Sequence, residues 1–189
     1  MGRERCVQEE GLTYMSDTDT DTAPTATTDT QDVVKDKEFT FLCVVDESPE
    51  LSRALRFSCQ RAKRVGGRVA LVYVIQPAEF QHWMAVGDLM QEEAREEAEA
   101  LLSENADKVV LATGKTPIIF LREGDTVEEL INLIDEDKNI SLLVLGGATG
   151  KDGPGPLVSY FIEKAAGRLH VPVTVVPGNM TDEQIDNIT

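Results

Sequence analysis

The sequence predicts a doubly wound, open α/β sheet, and three observations carry that prediction. From Thr40 onward short apolar runs alternate with helical periods, and the alternation closes on a strand. Aromatic residues make up only 5% of a chain that is 41% hydrophobic, which points to a core of Val, Leu, Ile and Ala of the kind that parallel sheets bury on both faces. Strands separated by helices must pair in parallel, and right-handed crossovers then place helices on both faces of the sheet.

The elements follow in order. "TFLCVVD" (40–46) is a continuous apolar run and reads as a fully buried first strand. Ser48-Pro49 reads as an N-cap with proline at the first helical position, and Leu51, Ala54, Leu55, Ser58, Cys59 and Ala62 supply the helix stripe. Arg53, Arg56, Arg61, Lys63 and Arg64 fall mostly off that stripe and read as a solvated face. Gly66-Gly67 ends the helix, and "RVALVYVI" (68–75) is the second strand. After the irregular stretch "QPAEFQHWMAVGD", a long acidic helix is expected from Leu89 to about Val110, with Glu92, Glu93, Glu96, Glu97 and Glu99 pointing outward. "TPIIFLR" (116–122) is the third strand. Asp125 and Glu128 have capping-box spacing ahead of a helix whose apolar face is Val127, Leu130, Ile131 and Ile134. "ISLLVLGG" (140–147) is the fourth strand, Leu157 to about Leu169 the fourth helix, and "VPVTVV" (171–176) the fifth strand.

These elements form one α/β domain over residues 39–177. Residues 1–38 contain "SDTDTDTAPTATTDTQD", with almost no large apolar side chain to offset the entropy of ordering, and are expected to be a disordered acidic, Thr-rich arm. Met15 opens that run, so two start points for translation are in view. In the tail, 178–189, Thr181 and Gln184 stand at capping-box spacing, which allows a short helical turn.

Composition excludes some functions. A formal net charge of −16, from 34 acidic against 18 basic residues, opposes polyanionic partners, so neither nucleic acid nor an anionic membrane surface is expected. No apolar run reaches the roughly 18–20 residues that span a bilayer, and no apolar signal core opens the chain, so a cytoplasmic location is expected. The three cysteines, Cys6, Cys43 and Cys59, have no metal-ligand spacing. Reduced thiols are expected, with Cys43 and Cys59 packed in the core. No Cys, His and carboxylate cluster suggests a metal site or a hydrolytic triad.

In open parallel sheets, ligands bind outside the carboxyl ends of the strands, where the strand order reverses. Asp46, Glu47 and Ser48 follow the first strand; "GGATGKDGPGP" (146–156) ends the fourth. A carboxylate there can accept from an adenine amino group or a ribose hydroxyl, and glycines let backbone amides approach phosphate oxygens. Two stricter phosphate motifs fail. A G-x-x-x-x-G-K-[ST] loop would need glycine where Leu145 stands and Ser or Thr where Asp152 stands, and the first strand-to-helix turn, "VVDESPEL", lacks a G-x-G-x-x-G fingerprint.

"CVVDESPELSRAL", "LVYVIQP", "LREGDTVEELINLIDE", "ISLLVLGG" and "YFIEKAAGRLHVPVTVVP" together resemble the motifs of the universal stress protein family over nearly all of residues 39–177. The resemblance implies a Rossmann-like sheet of strand order 3-2-1-4-5. It further implies a homodimer formed by antiparallel pairing of the last strand, through Val173, Thr174, Val175 and Val176. Self-pairing would satisfy an otherwise open apolar edge, with Pro172 and Pro177 limiting its length; the alternative is an edge protected only by those prolines and the tail.

The family's ATP-binding members carry G-x-x-G, a spacer, then Gly-Ser or Gly-Thr, and this chain departs from the pattern. Aligned without a gap, Gly146 takes the first glycine position, Thr149 the second and Ser159-Tyr160 the final pair; a shift to Gly147 and Gly150 shortens the spacer. Pro154 and Pro156 also remove two amide donors. Two readings stand level: an altered site for ATP or another adenine nucleotide, and a cleft that is empty or used differently. For a nucleotide, the candidates are Asp46 at the base or ribose, Val74 packing on the base, Gly146, Gly147, Gly150 and Ser159 along the phosphates, and Ser48 as a further contact. Lys151 would supply charge, or is a solvated loop lysine.

Phe80, Trp83, Met84 and Met90, beside His82, read as cover for one end of the sheet or a partner surface. His170 is expected to cap the end of the fourth helix. The resulting expectation is a homodimeric binding and regulatory module for stress response that is not an enzyme. The alternatives are an adaptor for another protein and an adenine-nucleotide hydrolase-like enzyme.

Overall fold

The structure is a computed structural model that describes residues 38–76, 84–151, 153–165 and 167–189, the side chains of 84–89 excepted. The expected N-terminal arm as far as residue 37, and the segment with Phe80, His82 and Trp83, lie outside the described residues.

Five strands form one sheet in the order β3-β2-β1-β4-β5, and every pairing is parallel. The central strand, β1 (Thr40–Val44), is buried along its whole length, as its unbroken apolar run requires. It is flanked by β2 (Arg68–Ile75) and β4 (Ile140–Gly147), with β3 (Ile118–Glu123) and β5 (Val173–Pro177) at the edges. The order therefore reverses between β1 and β4.

Alternate residues of β1 point into different layers. Phe41 and Cys43 pack beneath α1 (Leu51–Val65), α2 (Met84–Thr113) and α5 (Asp182–Ile188), in a cluster with Leu55, Leu102, Val109 and Ile185. Leu42 and Val44 face α3 (Thr126–Glu136) and α4 (Pro156–Glu163), in a second cluster with Leu130, Ile134, Val158 and Phe161. The period-2 alternation of a strand thus feeds two cores separated by the sheet.

Local chemistry fixes the ends. Gly66 takes φ 71° and donates its N–H to Ala62, closing α1. A Cβ on Gly67 would lie 2.4 Å from the Phe39 carbonyl oxygen, so the strand entry admits only glycine. Asp125 caps α3 by accepting from the Val127 and Glu128 amides at 3.0 Å. Glu128 does not complete the box; its carboxylate turns instead to Arg168, which donates through both terminal nitrogens at 2.9 and 2.7 Å. Thr181 and Gln184 form the full capping box of α5.

Several boundaries differ from expectation. α1 starts at Leu51 with Glu50 at the N-cap and no side-chain cap, because Asp46 Oδ1 takes the Ser48 amide at 3.0 Å and the Ser48 carbonyl accepts Leu51 N–H at 3.2 Å. The chain thus makes a turn where Ser48-Pro49 suggested a helix entry. α2 is 30 residues long and overruns the expected helix at both ends. α4 stops at Glu163, well before Leu169: Lys164 leaves helical geometry at φ −123°, and the Ala165 carbonyl gathers the Arg168 and Leu169 amides into a turn. His170 consequently does not cap α4; its Nδ1 lies 3.2 Å from Asp135 on α3.

The arginines of α1 are not simply a solvated face. Arg53 pairs with Asp182, Arg56 chelates Asp186 at 3.0 and 2.6 Å, Gln60 adds a bond to Asp186 at 3.1 Å, and Arg61 donates to the Thr189 carbonyl at 3.2 Å. The tail is thereby held on α1 by charge, with Ile185 fully buried between them.

Candidate functional site

At the switch point the carboxyl ends of β1 and β4 lie side by side and a cleft opens between the structures that follow them. Asp46 stands two residues beyond the end of β1, after Val45, whose N–H bonds to Val72 O at 2.8 Å. Across from it, Gly146 is the penultimate residue of β4, paired with Val176 of β5.

The cleft has two lobes joined at Val44, Asp46, Pro156 and Leu157. The larger, about 590 Å3, is walled by Val45, Tyr73 and Val74 from β1 and β2, by Gln76, Asp125, Thr126 and Val127 at the start of α3, and by Tyr160 of α4. That volume lies within the roughly 300–1,000 Å3 of small-molecule sites, and the mainly apolar walls with a few polar groups are typical of them. Gln76 donates to Thr126 Oγ1 at 3.0 Å, tying the end of β2 to α3. Burial pushes the Tyr73 phenol above its ordinary pKa. Arg168, held by Glu128, donates to the Tyr160 hydroxyl at 3.2 Å, and the Tyr160 ring meets Phe161 edge-on with centroids 6.0 Å apart.

The smaller lobe, about 190 Å3, lies between Ser48, Glu50, Leu145, Gly146, Ala148 and the Pro154–Val158 segment. The loop above it folds on itself, Ala148 donating to the Pro154 carbonyl at 3.2 Å. Gly153 and Gly155 adopt φ 87° and 98°, a region open to glycine at little cost. By helix geometry the amides of Leu157 and Val158 have no intrahelical acceptor and form the positive end of α4.

The predicted site residues are only partly brought together. Asp46 lines both lobes, Val74 the larger, and Ser48 and Gly146 the smaller. Gly147, Gly150, Lys151 and Ser159 line neither. Gly147 faces β5, where a Cβ would sit 2.7 Å from Val175 Cγ1, and its carbonyl accepts the Gly178 amide at 2.8 Å. Gly150 and Lys151 are exposed on the loop, and Ser159 lies within α4, its amide bonded to the Gly155 carbonyl at 3.0 Å. Gly146 has a packing reason of its own, since a Cβ there would lie 2.9 Å from the Cβ of Glu50.

Sequence reasoning missed Glu50, Tyr73, Gln76, Pro156, Leu157 and Tyr160 as wall residues. Proximity to the ends of β1 and β2 could have flagged the first three. Tyr160 stood out only as a bulky replacement in the glycine-loop pattern.

Among the described residues the carboxylates on the walls are Asp46, Glu50 and Asp125, and no lysine or arginine lines either lobe. Among the described residues, no group of His, Cys, Asp and Glu is placed to hold a metal ion. A third cavity, about 470 Å3, lies between α1 and α2 over Leu51, Leu55, Cys59 and Leu101. Burial raises the Cys59 thiol to about 11 and the Cys43 thiol to about 12, so neither is a nucleophile near neutrality. No described helix is long and apolar enough to cross a membrane.

A parallel sheet with a walled cleft at its switch point defines a Rossmann-like α/β domain. The universal stress protein family model matches residues 39–177, and the chain belongs to that family. Among solved structures, universal stress protein UspA from Lactobacillus plantarum superposes with TM-score 0.63 at 16% identity, covering 73% of this chain and 97% of that one. A universal stress protein in complex with cAMP gives TM-score 0.54 at 23% identity, with coverage of 72% and 95%. The Archaeoglobus fulgidus universal stress protein in complex with dAMP gives TM-score 0.51 at 20% identity, with coverage of 74% and 97%. Comparison with curated protein sequences finds no match.

Proposed function

We propose that this protein is a cytoplasmic, homodimeric regulatory module that binds an adenine nucleotide in the cleft between β1 and β4 and acts in stress response through binding, without turnover. The observation that carries the reading is the position of Asp46, which stands where the two lobes meet. From there it can accept a hydrogen bond from the amino group of a base or a hydroxyl of a ribose, while Val74 and Leu157 offer apolar surface to the ring. Relatives of the same fold in complex with cAMP and dAMP support an adenine ligand.

The residues fit the adenosine part of such a ligand and do not fit a triphosphate: the smaller lobe has carboxylates, two prolines without N–H groups and, among the described residues, no cationic side chain on its walls. Turnover of a phosphoanhydride calls for cationic groups around the transferred phosphoryl, and the wall residues supply none. Self-pairing of β5 is supported by its place at the sheet edge and by the half-buried state of Val173, Thr174 and Val175 beside buried Val176.

Native mass spectrometry of freshly purified protein tests the reading as a whole. The expected spectrum is that of a dimer, with an added mass that mild activation releases as an adenine compound. A monomer that also fails to take up any adenine compound on titration would overturn it.

A further inference from the structure

We infer that the cleft selects its ligand by charge, accepting an adenine nucleoside or a nucleotide with one phosphoryl group and rejecting a triphosphate. This rests on the adenine-nucleotide reading above and narrows it against the ATP-binding pattern of the family.

In the larger lobe the polar group at the junction is Asp46, whose Oδ1 already accepts the Ser48 amide at 3.0 Å. A carboxylate asks its partner for a hydrogen, which neutral amino and hydroxyl groups have and phosphate oxygens lack. The base and sugar of a nucleoside satisfy it.

Phosphates attached to that sugar would extend toward the smaller lobe, and there the donors are few. Pro154 and Pro156 have no N–H, and the Ala148 amide is already bonded to the Pro154 carbonyl at 3.2 Å. Donors at that wall are the Ser48 hydroxyl and the amides of Gly155, Leu157 and Val158, the last two opening α4. A helix start of this kind suits one anionic group. Further phosphates would meet Glu50, which lines the same lobe.

Charge then decides. Phosphate sites in proteins are made by arginine, lysine or massed amides, and among the described residues neither lobe has an arginine or lysine on its wall. The net charge of −16 adds a long-range penalty of the same sign. With the carboxylates of Asp46 and Glu50 nearby and solvent at the cleft mouth, each extra negative charge is expected to weaken binding about fivefold. ATP carries about three more charges than cAMP, its outer phosphates lying farther into solvent, so a total loss of about 20-fold or more is expected.

The test is isothermal titration of the full chain with adenosine, cAMP, AMP and ATP, with and without Mg2+, at low and high salt. Adenosine and cAMP are expected to bind most tightly, AMP next and ATP at least about 20-fold more weakly than cAMP, the gap narrowing in high salt as screening shortens the reach of the carboxylates. The variant Glu50→Gln should bring the ATP affinity about fivefold closer to that of adenosine. ATP binding as tightly as cAMP in either metal condition would overturn the selection by charge and leave the adenine reading standing. A gap untouched by both salt and Glu50→Gln would also overturn it, since the discrimination would then be steric. Failure of all four compounds to bind would remove the adenine reading and this inference together.

Discussion

Replacing Gly146 by alanine separates packing from phosphate recognition at the end of β4. The new Cβ would lie 2.9 Å from the Cβ of Glu50 and 3.1 Å from its carbonyl carbon and oxygen. Those atoms cannot retreat cheaply, because the Glu50 carbonyl anchors the first turn of α1, accepting from Arg53 at 3.0 Å and Ala54 at 3.2 Å. The sheet and the helix must therefore part, and overpacking of this kind costs about 1–3 kcal/mol. Taking about 2 kcal/mol, a domain of this size should melt about 4–8 °C lower. The control is Gly150→Ala, where an added Cβ meets nothing within 4 Å; its stability should stay within about 0.5 kcal/mol of the parent. Urea unfolding and calorimetry on the pair read the difference directly. Equal stabilities for the two variants would refute the steric account of Gly146 and return that glycine to a role in ligand contact.

Other expectations follow from the same structure. Asp46→Ala should weaken adenosine binding about 10- to 100-fold, the effect of losing a hydrogen bond to a charged acceptor, as read by titration calorimetry; an unchanged affinity would move the base elsewhere. Ile185→Ala removes a fully buried side chain between α5 and α1 and should cost about 2–4 kcal/mol in chemical unfolding. The hydrogen bond from Arg56 holds the Asp186 carboxyl below its usual range. A carboxyl depressed in the folded state stabilises at pH above its unfolded value, near 4, and loses that contribution as pH falls through the folded value. Protection of the α5 amides, as exchange relative to the intrinsic rate at each pH, should therefore be steady near neutrality and fall below about pH 4; loss of protection on raising the pH instead would contradict the assignment. Thiol labelling of the native protein near pH 8, mapped by peptide mass spectrometry, should leave Cys43 and Cys59 unmodified, because burial raises them to about 12 and 11.

The sheet was legible because parallel strands buried on both faces are written as unbroken apolar runs, and "TFLCV" and "ISLLVLGG" could hardly be anything else. Helix ends were less so. Ser48-Pro49 has the composition of a helix entry, but the Asp46 side chain captured the Ser48 amide and delayed α1; this local competition is invisible to a pattern of polar and apolar residues. The arginines of α1 looked solvated because the helix that neutralises them lies more than a hundred residues away in the chain. At the site, Asp46 and Val74 were readable from their places at strand ends. Glycine composition did not reveal the packing in the loop, where a Cβ on Gly147 would meet Val175 and one on Gly146 would meet Glu50. The inward wall is set by the Ala148–Pro154 bond and by Gly153 and Gly155, and depends on how the loop closes.

The two lips of the cleft belong to opposite sides of the sheet. Ser48 and Glu50 lead into α1, which sits on one hydrophobic layer, whereas Leu157 and Val158 open α4, which sits on the other. A molecule seated between them works as a rivet through both halves of the protein. Occupancy should then be felt far from the mouth, as slower hydrogen exchange in both helix layers and a sharper single melting transition, since its binding energy must be surrendered before either half can come apart.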